Sequence, residues 1–291
     1  MNLIRLMIAT ALLLPAGAYA QQTINIQGPE TLILLGQKLN QLYKRQQPQV
    51  TLGIHGGNIR ASLPQLLRGE FDIVQSRGML PAESSRPDVL GVPIGVEGVV
   101  IYVNEANPLN DLTVAQVRSI YAGEIVNWKQ LGGPDQRILL YGGESTSGVE
   151  QYFMEAVLRG GESFGYEGKT STKELLEVIA THPSGIGFAS VGFAPHVKAL
   201  RIRANAGSPA IEPTIANIRS LQYPVSRYIY WYLARLPQGE LKSFCTWVFS
   251  SEGQLVVEGV GFLPLAPEER AAGLHKLGLS GGMAQPASLR R

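Results

Sequence analysis

Strand-like and helix-like segments alternate along this chain from Thr23 onward, and that alternation limits the fold more than any single residue does. Residues 23–27 (TINIQ) read as a short strand and 32–43 carry helical apolar spacing. Residues 49–54 read as a second strand, 61–68 as a helix ended by Gly69, and 71–74 as a third strand. A β-α-β-α-β run of this kind predicts a parallel sheet covered by helices. Beyond it, 92–103 is strand-rich and apolar. Residues 113–121 form a helix that opens with Thr113 and has Gln116 three positions later, the pattern of a capping box. Further helices are expected at 149–158, 172–180, 240–249 and 252–259, and strands at 138–141, 185–189 and 223–234. Residues 275–291 read as a loose polar tail. The aromatic run Tyr228, Tyr230, Trp231 and Tyr232 could stack a sugar, but alternating aromatics in a strand point first to core packing.

The first twenty residues read as an address. Arg5 supplies a positive start, Leu6 to Leu14 a short apolar run, and Ala18-Tyr19-Ala20 a small-x-small cleavage pattern. That is the layout of a cleavable secretory signal, and the apolar run is shorter than the roughly 20 residues of a membrane span. No cysteine follows the cut to accept a lipid. The expected location is therefore periplasmic or secreted. With 25 Lys+Arg against 23 Asp+Glu the formal charge is +2, which gives no support for nucleic-acid binding through bulk charge. The single Cys245 excludes a disulfide framework and a cysteine-rich zinc site, and its apolar helical setting predicts a buried structural thiol. The four histidines are far apart, with no metal-ligand spacing, so no cofactor or metal is expected.

Two strand-to-helix turns carry hydroxyls where a helix begins: Glu30-Thr31, and Ser145-Thr146-Ser147-Gly148. Free N–H groups and the helix dipole make such turns ready anion sites, although simple N-capping uses the same residues. Around Ser145 the string is not the G-x-S-x-G nucleophile elbow, and no Gly-Lys-Ser/Thr ending marks a P-loop. His55-Gly56-Gly57-Asn58 lacks the spacing of a dinucleotide turn. A secreted phosphatase is thus a weak reading, for want of a nucleophile–base pair or a metal cluster.

Taken in order, several strings resemble the substrate-binding proteins of phosphate ABC transporters. Gly28-Pro29-Glu30-Thr31-Leu32 follows the first strand, and Gly56-Gly57-Asn58 leads to Leu66 through Ile73 and to Ser76-Arg77. Pro93-Ile94, Gly98 and Val103-Asn104 come next, then Asn107-Pro108, Leu112-Thr113, Gln116, Ile120-Tyr121, Gly123 and Asn127-Trp128. Ser147-Gly148, Gly185 to Phe188, Ser251 to Gln254 and Gly261 to Leu265 complete the series, which covers residues 23–265. The resemblance implies an α/β, two-lobed periplasmic binding protein. Each lobe would be a mixed, mostly parallel sheet flanked by helices, joined by two hinge crossings near 96–99 and 223–226. Lobe one would be 22–96 plus 225–270, and lobe two 97–224.

By the same resemblance the ligand lies between the lobes, and Thr31, Ser147 and Gly148 keep the family's places. The sequence departs from the pattern elsewhere: Val149 stands where a Thr is expected, Gly143 where an Arg is expected, and Asn58-Ile59-Arg60 near an expected Ser. Arg60 or Arg77 could replace the missing cation, since a guanidinium fork suits phosphate. Glu30 or Glu144 could accept the proton of hydrogen phosphate, a proton that sulfate lacks. The expected ligand set is Glu30, Thr31, Asn58, Arg60, Ser76, Arg77, Ser145, Ser147 and Gly148. The expected function is capture of phosphate or a related oxyanion for an ABC transporter permease, by a monomer, with no catalytic step. A periplasmic sensor or other binding module with an altered pocket is the alternative.

Overall fold

A computed structural model describes residues 22–57, 59–80, 88–143, 148–192 and 194–279. Residues 1–21, 58, 81–87, 144–147, 193 and 280–291 lie outside the described residues. The expected signal segment, Ser145, Ser147 and Glu144 fall in these stretches.

Strand β1 (Gln22–Gly28) runs through a 3-10 turn, Glu30–Leu32, into α1 (Ile33–Gln46). Then follow β2 (Val50–Gly56), α2 (Ile59–Leu67) and β3 (Ile73–Arg77). β1 pairs in parallel with both β2 and β3, as the β-α-β-α-β pattern requires. The apolar stretch after residue 89 divides into β4 (Leu90–Gly98) and β5 (Val100–Asn104). The division matters because the two strands belong to different sheets. β4 joins the first sheet through β12 (Ser226–Leu233), which is antiparallel to both β3 and β4. The order is β2-β1-β3-β12-β4.

The second sheet is built in the intervening chain. β6 (Asp111–Thr113) leads into α3 (Val114–Tyr121), and β7 (Leu139–Gly143) precedes α4 (Gly148–Ala156). β8 (Glu167–Lys169), α5 (Thr172–Thr181), β9 (Gly185–Ala189), β10 (Val197–Ala199) and β11 (Arg201–Arg203) follow. The sheet order is β10-β5-β9-β7-β8, and β11 pairs with β6 in a separate ribbon. Each five-stranded sheet is mixed as expected, but parallel and antiparallel pairs are equal in number rather than mostly parallel. The physical reason lies at the crossings, where β4, β5 and β12 enter antiparallel to their neighbours. The two crossings lie side by side: the Val99 N–H donates to the Val225 carbonyl at 3.0 Å, and Gly98 pairs with Ser226.

Helix α6 (Ile215–Arg219) packs on β12 and β4, and α7 (Gly239–Val248), α8 (Ser251–Gly259) and α9 (Pro267–Lys276) close the first lobe. α9 corrects the loose-tail expectation over 275–279. Its polar outer face hides the helix, while Leu274, Leu277 and Leu279 are buried. At its start the Ala266 N–H donates to Glu269 Oε2 at 2.7 Å, and Pro267 stands at N1, where a missing N–H costs nothing. The predicted capping box at Thr113 forms: Gln116 N donates to Thr113 Oγ1 at 3.1 Å, and Thr113 N donates to Gln116 Oε1 at 2.8 Å.

The core of the second lobe centres on Phe153 stacked on Phe188, with Tyr121 edge-on to both. In the first lobe Trp231 stacks on Phe244, and its Nε1–H donates to Gln75 Oε1 at 3.2 Å. The aromatic run of β12 is therefore largely packing material: Trp231 and Tyr232 are buried, Tyr228 and Tyr230 half-buried. Cys245 is a free, fully buried thiol whose pKa burial pushes up to about 12, consistent with a structural role. Among the described residues no helix is long and apolar enough to cross a membrane, and no cluster could hold a metal ion.

Candidate functional site

Three charged residues meet where the first sheet faces the second lobe, and strand register brings them there. Arg77, the last residue of β3, lies opposite Ile229 of β12. Arg227, two residues before Ile229, lies opposite Glu97 near the end of β4. Period-two alternation puts Arg77, Arg227 and Glu97 on one face of the sheet. Glu97 is 1% exposed and Arg77 5%, so neither can rely on water for neutralisation. Arg227 Nε donates to Glu97 Oε2 at 3.0 Å, and Arg77 Nη2 lies 3.4 Å from Glu97 Oε1.

Arg227 also reaches the other lobe. Its Nη2 donates to Glu155 Oε2 at 3.0 Å, and its guanidinium carbon lies 3.9 Å above the ring of Tyr152. Both partners belong to α4. The resulting chain Arg77–Glu97–Arg227–Glu155 runs from the first sheet, through the hinge, to the second lobe.

Burial pushes the Arg77 pKa below the ordinary guanidinium value, against the upward pull of Glu97. Burial likewise pushes the Glu97 carboxyl up, opposed by Arg77 and Arg227. For Arg227 burial alone would lower the pKa, but the hydrogen bond to Glu155 and the two carboxylate charges leave it raised. The same hydrogen bond holds Glu155 below the usual carboxylate value. A depressed folded pKa adds stability above the ordinary carboxylate range and loses it as pH falls through the folded value. The Glu155 side chain is more than half exposed, so its share is small, below about 1 kcal/mol. Urea titration should therefore find Glu155→Gln less stable than the parent at pH 7, with the gap closing below about pH 4. A gap that stays constant with pH would mean the bridge contributes no charge-dependent stability.

Arg77 adjoins a small cavity between the lobes. Its Nη2 donates to the Thr31 carbonyl at 3.3 Å and lies 3.4 Å from where a Cβ on Gly148 would stand. Thr31 and Gly148 line this cavity of about 50 Å³ with Glu30, Gln151 and Phe262. Four polar atoms here are buried without a protein partner: Nε and Nη1 of Arg77, Oγ1 of Thr31 and Oε1 of Gln151. Gly148 opens α4, whose first N–H groups have no intrahelical acceptors.

Of the expected ligand set, the fold brings together Glu30, Thr31, Arg77 and Gly148. The Glu30 carboxylate rests on the glycine loop after β2, where a Cβ on Gly56 would collide with it. Ser76 is buried, but alternation turns it to the opposite face of β3 from Arg77, beside Val74, so it does not join this group. Asn58, Ser145 and Ser147 lie outside the described residues, and Arg60 is placed only as backbone in the first turn of α2. Sequence reasoning missed Glu97, Arg227 and Glu155. A signal was present for the first: one acid inside an apolar strand needs a cation.

The family model for a PBP superfamily domain matches residues 15–252. The chain belongs to that family. Among PBP-superfamily relatives, the phosphate-binding protein PstS of Pseudomonas aeruginosa is 26% identical over 277 residues, covering 87% of this chain and 86% of its own. The Bacillus subtilis protein of the same name is 23% identical over 250 residues, covering 84% and 82%. The fold is shared with a solved structure of a possible phosphate binding protein from Planctomyces limnophilus, with a TM-score of 0.78 at 22% identity, covering 90% of this chain and 99% of that one. An ABC-type phosphate transport receptor from Vibrio cholerae gives 0.60 at 24% identity, covering 84% and 100%. The two-lobed α/β architecture of this PBP-superfamily chain is thus the fold of those two structures.

Proposed function

We propose that the protein is exported to the periplasm, captures phosphate or a closely related oxyanion between its lobes, and delivers it as a monomer to an ABC transporter permease. No bond is made or broken. The observation that carries this reading is the buried Arg77 fork, with Nε and Nη1 unpartnered, beside the unpartnered Thr31 hydroxyl and the first turn of α4. Such a set offers charge-assisted donors and a favourable helix dipole to an anion in a site that excludes water. The phosphate-binding names of the relatives support the choice of oxyanion.

Arg77 takes the part of the cation missing at Gly143. It comes from β3 rather than from the end of β7, and Glu97 and Arg227 hold it in place. In small-angle X-ray scattering, millimolar phosphate should reduce the radius of gyration of ligand-stripped protein, as hinge closure requires. An unchanged radius together with no heat of binding would contradict capture.

Among the described residues that line the cavity, Glu30 is the one carboxylate, beside Thr31. A carboxylate there accepts the proton of hydrogen phosphate and repels an unprotonated dianion. Glu30→Gln is expected to raise sulfate affinity relative to phosphate about tenfold, read by competition calorimetry. An unchanged ratio would remove Glu30 from selectivity.

A further inference from the structure

We propose that the cleft is built for a small phosphate monoester with a hydroxylated substituent rather than for the bare inorganic ion; this rests on the anion-capture reading above. Inorganic phosphate would need only the cavity of about 50 Å³ at Thr31 and Gly148. A second interlobe cavity of about 250 Å³ adjoins it, and Leu34, Gly148 and Val260 border both. Gly148 has no side chain, and Leu34 is 48% exposed, so rotation of one leucine joins the two spaces.

The walls of the second cavity differ in character. On the second-lobe side, Thr170 and Ser171 of the β8–α5 connection, Thr172 at the start of α5 and Ser190 after β9 line the cavity together with Lys169; the Thr170 and Ser171 hydroxyls bond to Glu174, and Lys169 pairs with Glu167 and Glu174. On the first-lobe side, Val260 lies between Gly259 and Gly261 and presents apolar surface and bare backbone. Thr172 Oγ1 and Ser190 Oγ bond to each other at 3.0 Å, and a hydroxyl pair of this kind still has lone pairs to accept further donors. A polyol chain has C–H faces and O–H edges that suit these two walls. The volume lies just under the roughly 300–1,000 Å³ of drug-sized sites, which fits a substituent of about three to six carbons.

Calorimetry on the ligand-stripped full chain at about pH 5.5, where a phosphate monoester with a second pKa of about 6 keeps the proton that Glu30 accepts, would compare inorganic phosphate with glycerol 3-phosphate and ribose 5-phosphate. At least one ester should bind about tenfold tighter than phosphate, and that ratio should fall to about one in Thr170→Trp and in Ser190→Phe. Thr170 is exposed, so its variant tests the cavity even where Ser190→Phe disturbs folding. If phosphate binds and neither ester binds tighter, the inference fails while anion capture stands. An ester preference that survives both variants would overturn the placement in this cavity. Silence of phosphate and both esters would overturn the inference and the anion-capture reading together.

Discussion

Arg77→Ala should weaken phosphate binding by more than about a hundredfold while leaving the protein folded. A bound oxyanion would take two charge-assisted bonds from the Arg77 fork, each contributing about 1.5–3 kcal/mol. Micromolar binding amounts to only about 8 kcal/mol, so losing both would leave an affinity of about 0.1 mM or weaker. Folding should survive because Glu97 keeps its 3.0 Å bond to Arg227. Arg77→Lys should recover part of the affinity, since it restores the charge but not the planar fork. Equal phosphate affinity in the parent and Arg77→Ala, by titration calorimetry, would place the anion elsewhere in the cleft.

A second large effect is expected at Glu97. This carboxylate lies between two guanidiniums with almost no access to water. Removing one member of a buried ionic cluster leaves an uncompensated charge, at about 3–5 kcal/mol. Glu97→Ala should lower the unfolding temperature by on the order of 10 °C in differential scanning calorimetry. The variant leaves Arg77 and Arg227 facing each other with only Glu155 opposite, so a bound anion restores part of the missing negative charge. Phosphate should accordingly raise the melting temperature more in Glu97→Ala than in the parent. A melting temperature within about 2 °C of the parent would show that water or backbone already compensates the two cations.

Periodicity made much of the fold readable. The β1-α1-β2-α2-β3 run, the Thr113 capping box and the buried thiol of Cys245 follow from spacing and apolar content alone, because each is local. Helix α9 was harder to read. Sequence spacing predicts no helix over PEERAAGLHK and a tail from 275, because the apolar face that docks the helix depends on Leu274, Leu277 and Leu279 finding the first lobe. Pro267 and Glu269 were the legible signs of its start.

The site divides along the same line. Thr31 and Gly148 could be placed from helix starts, and Arg77 as a candidate for the cation that the resemblance expects. The Glu97–Arg227 pairing could not, since its partners are 130 residues apart and meet only through antiparallel register across the hinge. Ser76 was misplaced for a simpler reason: adjacent residues on a strand point to opposite faces, so Ser76 and Arg77 cannot both face one ligand.

The central claim is that the cleft beside Arg77 captures an oxyanion. Titration calorimetry of ligand-stripped protein with inorganic phosphate, followed by sulfate, arsenate and molybdate, tests it most directly. The account predicts saturable one-to-one binding of phosphate with a Kd of about 1 μM or tighter. No binding heat from any of the four ions would contradict it.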